Sequence, residues 1–371
     1  MVKVLIISDA TLDGGTNTYI FGVIKTAIID KNYDINLLLD DNENMVEMAR
    51  KCERLGVNVY REKIYHGTQT PLHIRNRIGC LINKINPDVT HVFCSSIRSA
   101  ITIREAIIEH NIPLFSTETY VSKDYPITLE ELGRVHQIYA QTRTVVAVSF
   151  ANIKVLREFY ELNPNNIICI PTSIDTSNFQ YKERRIDDHI NAVVIGRLSK
   201  QKGIDLLIEA FNNLKRRYRD KYSIDIYGDG EMKQEIIEMI KHYGLEKYIH
   251  LNGWVNNINN ILENYNLGIV PSRDEGLPNV VLELLLCGIP TIVSDVEGIL
   301  EATDSGYYAE VFQSESVSEL TKKLIAIINS PSDLLIKNKE ASDYIRTHYN
   351  MDINYAKYLK LWKDELIDRC Q

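Results

Sequence analysis

The 371-residue sequence lacks any apolar run long enough to cross a bilayer: MVKVLII stops at Ser8-Asp9, and no later stretch approaches the roughly 18 residues required. The same opening stretch lacks the small-residue cleavage site of a secretory signal, so a cytosolic protein, at most peripheral to a membrane's inner face, is expected. Cysteines are few and scattered. Cys52, Cys80, Cys94, Cys169, Cys287 and Cys370 form neither a CxxC nor a Cys/His cluster, which excludes a zinc framework and a disulfide scaffold. A basic excess is also missing. The first 180 residues carry 18 basic and 20 acidic side chains and the rest 24 and 30, for a net charge of −8, so no nucleic-acid partner is expected. No strand candidate is followed by GxGxxG and a ribose-binding acid, which disfavours a dehydrogenase. There is no internal repeat and no low-complexity segment.

What remains is an ordinary globular mix, 44% apolar and 25% charged, of a length that suggests two domains. Short β-branched runs at 2–7, 35–39, 89–94, 113–116, 145–148, 167–170, 192–195, 223–227, 267–270 and 291–293 read as strands. Between them, 17–29, 204–215, 232–242 and 278–287 have helical period. Such alternation predicts an α/β fold of parallel sheets covered on both faces. The polar segment 175–189 separates two such series, giving two Rossmann-like lobes, 1–178 and 179–351. Two lobes of this kind would face a central cleft lined by the carboxyl ends of their strands, where open parallel sheets bind ligands.

Three segments could carry chemistry. Asp13-Gly14-Gly15-Thr16 lies between the first strand and a helix, and reads as a tight turn or as a phosphate loop. Gly196-Arg197-Leu198-Ser199-Lys200-Gln201-Lys202-Gly203 offers a guanidinium and an ammonium suited to a diphosphate, or is a solvated loop. In Pro271-Ser272-Arg273-Asp274-Glu275-Gly276-Leu277-Pro278-Asn279-Val280-Val281-Leu282-Glu283, Pro278 is expected to open a helix. Glu283 then sits inside an apolar helix, where a carboxylate needs a partner. Either a local Lys or Arg or the vicinal hydroxyls of a bound sugar would serve.

Glu275-x7-Glu283, with Gly276 and Pro278 between and Gly288-Ile289-Pro290 after, resembles the retaining glycosyltransferases of family 4 (glycosyl transferases group 1), which have the two-lobed GT-B fold. Ile195-Gly196-Arg197-Leu198 with Lys202-Gly203, Tyr227-Gly228-Asp229-Gly230, Leu251-Asn252-Gly253-Trp254-Val255 and 298–301 follow in the family's order. The first lobe matches loosely, through Gly14-Gly15, Pro87-Asp88-Val89-Thr90-His91 and Ala147-Val148-Ser149. The resemblance implies a hexosyltransferase in polysaccharide or glycolipid synthesis, using a UDP-sugar or, second, a GDP-sugar, and a glycan or lipid-linked acceptor. In it Arg197 and Lys202, next to Gly196, hold the diphosphate, and Glu283 takes the ribose hydroxyls. Glu275 touches the transferred sugar near the backbone of Gly276, Leu277, Pro278 and Asn279, while Gly15, beside Gly14, lets the first lobe close over the phosphates. A C-terminal helix at about 352–371, overlapping a helical pattern that runs from 344 to 366, would pack back on the first lobe.

The chain departs from the pattern at several points. Ser116-Thr117-Glu118-Thr119 puts Glu118 where the family has a His; Glu118 either serves catalysis, by binding the donor sugar's hydroxyls or stabilising positive charge at the anomeric carbon, or is a surface loop residue. His91 is core packing or acceptor-side lining. Asp175 is retained without the family's Asn-Gly turn, and Glu297-Gly298 brings an extra carboxylate. No Asp-x-Asp stands in an acidic site context, Asp225-Ile226-Tyr227 and Asp229-Gly230-Glu231 coming nearest. Metal-independent transfer is therefore expected, with no cofactor and the nucleotide-sugar as a substrate. Arg75, Arg77 and Lys84 on one helix, and Arg216, Arg217 and Arg219 near another, form either solvated faces or a patch for anionic lipid. The alternatives to transfer are a nucleotide-sugar epimerase or hydrolase of the same fold, and a non-catalytic two-lobed binding protein. The sequence sets no oligomeric state.

Overall fold

The computed structural model describes residues 1–11, 14–64, 69–123, 126–162, 166–186, 188–255, 257–330 and 335–370. It divides into two compact units, Met1–Ser173 with Met351–Gln371, and Ile174–Asn350. The first holds a sheet of seven strands: β1 (Val2–Ser8), β2 (Tyr33–Asp40), β3 (Asn58–Glu62), β4 (Val89–Cys94), β5 (Leu114–Glu118), β6 (Thr144–Ala147) and β7 (Ile167–Cys169). Their order is β3-β2-β1-β4-β5-β6-β7, and every pair is parallel. The second holds β8 (Ile190–Ile195), β9 (Tyr222–Tyr227), β10 (Ile249–Gly253), β11 (Leu267–Val270), β12 (Thr291–Ser294) and β13 (Glu310–Phe312), again all parallel, in the order β10-β9-β8-β11-β12-β13.

The central strands read as unbroken apolar runs because both faces are covered. In β1, Leu5 and Ile7 pack on the layer built from helices Pro71–Ile85, Ile101–Glu109, Leu129–Gln141 and Phe150–Glu158. Val4 and Ile6 pack on the opposite layer, from Gly15–Ile29, Val46–Arg54 and Met351–Cys370. In the second unit, Ala192 and Val194 of β8 face helices Ile204–Asn212, Lys233–His242 and Val317–Asn329, and Val193 faces Asn279–Leu286 and Asn338–His348. The strands absent from the sequence reading, β3, β10 and β13, are all sheet edges. Their half-exposed sequences, Asn-Val-Tyr-Arg-Glu, Ile-His-Leu-Asn-Gly and Glu-Val-Phe, lack the continuous apolar signature.

The units part at 173/174 and 350/351, not at 178/179 and 351/352. Ile174 bridges to Asn350 and its N–H bonds to the Tyr349 carbonyl, while the Arg346 guanidinium bonds the carbonyls of Thr176 and Phe179, so 174–179 belongs with the second unit. The helical pattern expected at 344–366 is two helices, broken at Tyr349-Asn350 and divided between the units. No helix among the described residues is long and apolar enough to cross a membrane.

Helix Met351–Cys370 is fastened to the first sheet by a buried hydrogen-bond chain. The Trp362 indole N–H donates to His91 Nδ1 (3.0 Å), and His91 Nε2 lies 2.8 Å from Thr117 Oγ1. Thr117 Oγ1 is 3.0 Å from the Tyr358 hydroxyl, which is 2.8 Å from the Tyr19 hydroxyl, and Tyr19 donates to the Ile170 carbonyl. An indole only donates and a carbonyl only accepts, so the ends fix every proton between them. His91 is therefore neutral with its proton on Nε2, a core residue and not an acceptor-side lining. Burial pushes its pKa down to about 3. A second proton would set an N–H on Nδ1 against the indole N–H. Because the folded pKa lies below the unfolded value near 6.5, the neutral ring's contribution is full above pH 6.5 and is lost as pH falls toward 3. His91→Phe, which strands the indole N–H, should cost about 1–3 kcal/mol at pH 7.5. In thermal melts between pH 6.5 and 4 it should lose stability less steeply than wild type, and equal slopes would refute the assignment.

Candidate functional site

A parallel sheet gathers the loops that follow its strands at one edge. In the second unit, β8 and β11 are neighbours, so the loops 196–203 and 271–278 abut. They touch backbone to backbone. Gly203, with φ +64°, follows the turn Lys200–Lys202, and a Cβ there would overlap the Pro271 carbonyl. The loop from β12 presses on the other side, where a Cβ on Gly298 would overlap the carbonyls of Glu275 and Gly276.

This packing brings Lys202 and Glu275 together from 73 residues apart, with Nζ to Oε1 at 2.6 Å. Ser272 Oγ donates to the same oxygen at 2.7 Å. The Lys202 side chain is 23% exposed and that of Glu275 8%, so the pair is reachable from solvent on the lysine side. The Lys202 stem would lie in ordinary contact with a Cβ on Gly196, at 3.4 Å. Arg197 is exposed and makes no ion pair among the described residues. Gly276 and Leu277 are buried.

Pro278 does not open the helix as expected. It is the N-cap, extended at φ −78° and ψ 120°, because its carbonyl already accepts from Val281 while its own backbone is still in the loop. Helix Asn279–Leu286 starts one residue later without a side-chain cap, and the buried Asn279 Oδ1 has no hydrogen-bond partner. One turn on, Glu283 makes no side-chain hydrogen bond or ion pair among the described residues, so neither a local Lys nor Arg satisfies it. Burial pushes its carboxyl up to about 7. Glu297 is exposed in the first turn of Glu297–Ala302, and Asp175 caps the turn Thr176–Asn178 by accepting from the Ser177 N–H.

The sequence reading missed Arg273. Its guanidinium grips Asp205 at 2.7 and 2.9 Å, bonds the Lys200 carbonyl at 2.7 Å, and pairs with Glu315 at 2.6 Å. Burial alone would raise the Asp205 carboxyl. The hydrogen bonds from Arg273 and Lys200 outweigh that effect and hold it below its ordinary value. The signal was available: Asp205 lies in Ile204-Asp205-Leu206-Leu207, the same anomaly of a carboxylate among apolar residues that singled out Glu283.

In the first unit, Gly14 is the extended N-cap of helix Gly15–Ile29, and a Cβ on Gly14 or Gly15 would meet nothing within 4 Å. The fold itself does not demand glycine there. Asp13 lies outside the described residues. Glu118 is not a surface loop residue. It ends β5 fully buried, 3.1 Å from the equally buried Arg104, whose other hydrogen bonds hold the Ile97 and Ser99 carbonyls. Burial raises its carboxyl to about 7 against the opposing pull of Arg104. The basic helix is largely neutralised, as Arg75 pairs with Glu105 and Glu109, Arg77 with Glu62, and Lys84 sits over the Tyr60 ring. Arg216 pairs with Asp220, Arg219 is spent on backbone carbonyls, and Arg217 lies over the Tyr218 ring. Among the described residues no group of three or more His, Cys, Asp or Glu side chains is placed to hold a metal ion.

Comparison with known proteins adds to this geometry. Residues 175–348 match the family of glycosyl transferases group 1. An uncharacterized glycosyltransferase of Methanocaldococcus jannaschii is 27% identical over 258 residues, 61% of this chain and 63% of that protein. An uncharacterized glycosyltransferase of Haemophilus influenzae is 23% identical over 94% of this chain and 95% of its own length. An Anabaena protein crystallised with UDP and glucose superposes with a TM-score of 0.81 at 14% identity, over 98% of this chain and all of that one. The match to glycosyl transferases group 1 thus falls on the second unit and covers just under half of the chain, and the two Rossmann-like units have the GT-B fold.

Proposed function

We propose that this protein is a retaining, metal-independent glycosyltransferase. It moves a hexosyl-type sugar from a nucleotide-sugar, a UDP-sugar before a GDP-sugar, to a hydroxyl of a glycan or lipid-linked acceptor in polysaccharide or glycolipid synthesis. The observation that carries the proposal is the Lys202–Glu275 pair at the carboxyl edge of the second sheet, on loops that also bear exposed Arg197 and lead to Glu283, which has no side-chain partner among the described residues. The Anabaena neighbour's complex with UDP and glucose supports a donor of this class.

Each group has a task in that chemistry. As the bond from the sugar's anomeric carbon to the diphosphate breaks, negative charge grows on the departing nucleoside diphosphate. Lys202 and Arg197, with the free N–H groups at Asn279, offset it where it develops. Glu283 accepts the two ribose hydroxyls, and Glu275 accepts from the transferred sugar once Lys202 turns to phosphate. Gly14 and Gly15 leave the first unit's helix N-terminus open to an anion.

Thermal shift against a panel of UDP- and GDP-hexoses should show stabilisation by a UDP-hexose; no shift by any member would end this reading. Lys202→Ala should lower donor turnover by about 100-fold with little change in Tm. Glu283→Gln carries a pH signature. The carboxyl's folded value near 7 exceeds its unfolded value near 4.5, so ionisation destabilises the fold fully above pH 7 and not at all below 4.5. The glutamine variant should melt higher than wild type at pH 8.5, the gain fading toward pH 4.5, while binding the donor about 10-fold more weakly.

A further inference from the structure

Donor chemistry at Lys202 and Glu275 requires a fixed distance between two loops, and the contact between these two side chains cannot maintain it throughout the reaction. When a diphosphate draws Lys202 away, the 2.6 Å bond to Glu275 is lost. We infer that Arg273, gripped by Asp205, is a positioning residue for sugar transfer, holding the loop of Glu275 against the turn of Lys202 while both are occupied by donor. The inference rests on the donor-site reading above.

The fastening lies within two residues of each functional side chain. Arg273 reaches across to both carboxylate oxygens of Asp205 and to the Lys200 carbonyl. Its own N–H donates to the Gln201 carbonyl at 2.7 Å, and the Gln201 amide returns to the Asp274 carbonyl at 2.8 Å. The fork is sheltered, with Arg273 13% and Asp205 7% exposed, so solvent screens it far less than a surface pair. A planar guanidinium meeting a carboxylate with two parallel bonds fixes orientation as well as distance, which a single ammonium does not. Glu315, 61% exposed, adds only an outer arm. None of these groups is assigned a donor contact, so the clamp remains closed while Lys202 and Glu275 exchange partners.

The test is Arg273→Lys, which keeps the charge and loses the fork. Tm, the UDP dissociation constant, and kcat and KM for UDP release from the hexose donor that gives the largest thermal shift are measured. The expected result is a kcat lowered about 10-fold or more, with UDP affinity within threefold and Tm within a few degrees of wild type. Asp205→Asn, which leaves Arg273 its contacts to Lys200 and Glu315, carries the same expectation if the lysine variant folds poorly. Glu315→Gln should turn over like wild type. Because Arg273 acts partly through Lys202, Arg273→Lys should cost clearly less in the Lys202→Ala background than in wild type. Wild-type kcat in both Arg273→Lys and Asp205→Asn, or losses that multiply in the double variant, overturns the positioning role. A wild-type protein that neither binds UDP nor releases it from any donor overturns the donor reading instead.

Discussion

Both sheets are entirely parallel, and that constraint governs the rest of the structure. Parallel neighbours cannot be joined by a hairpin, so each connection must run back across a face as a helix. The faces become apolar layers, and every irregular segment following a strand is driven to one edge. Chemistry in the second unit is a product of that traffic. Lys202 and Glu275 meet because β8 and β11 are adjacent, and they meet closely because Gly203 lets one loop lie on the other's backbone. The site is less a pocket carved into the fold than the place where the fold must put its loops.

Buried ionisable groups occur in both units, and their partners distinguish scaffold from site. In the first, Glu118 is answered by Arg104, and neutral His91 belongs to a chain whose donors and acceptors are all used. In the second, Asp205 is answered by Arg273. Half-buried Glu283 has no side-chain partner among the described residues, and a ligand with paired hydroxyls would provide one. The mildly acidic net charge is no guide to this: an anionic ligand is served by a few placed cations and a helix end, whatever the diffuse surface balance.

Periodicity made the central architecture legible from the sequence, since strands buried on both faces are nearly all apolar. It failed at three of the four edge strands, whose outer halves meet water, and at Tyr349-Asn350, where two helices of similar pattern adjoin. The candidate site was partly legible. Glu283 stood out as a lone acid in an apolar helix, whereas the pairing of Glu118 was not legible because Arg104 lies on a different element. Arg273 was invisible as a positioning group because its meaning depends on Asp205, 68 residues away. Residues that contact only water or ligand can be sensed from type and spacing; residues that hold others in place need the third dimension.

The placement of helix Met351–Cys370 has a consequence for the order in which the molecule is assembled. The second unit is one continuous stretch of chain, and it can close as soon as residue 350 has been synthesised. The first is begun before it, yet Tyr19, His91 and Thr117 wait for Tyr358 and Trp362, which follow the second unit in the chain. During synthesis the leading unit is therefore left unfinished, with an apolar face uncovered until the whole of the second has been made.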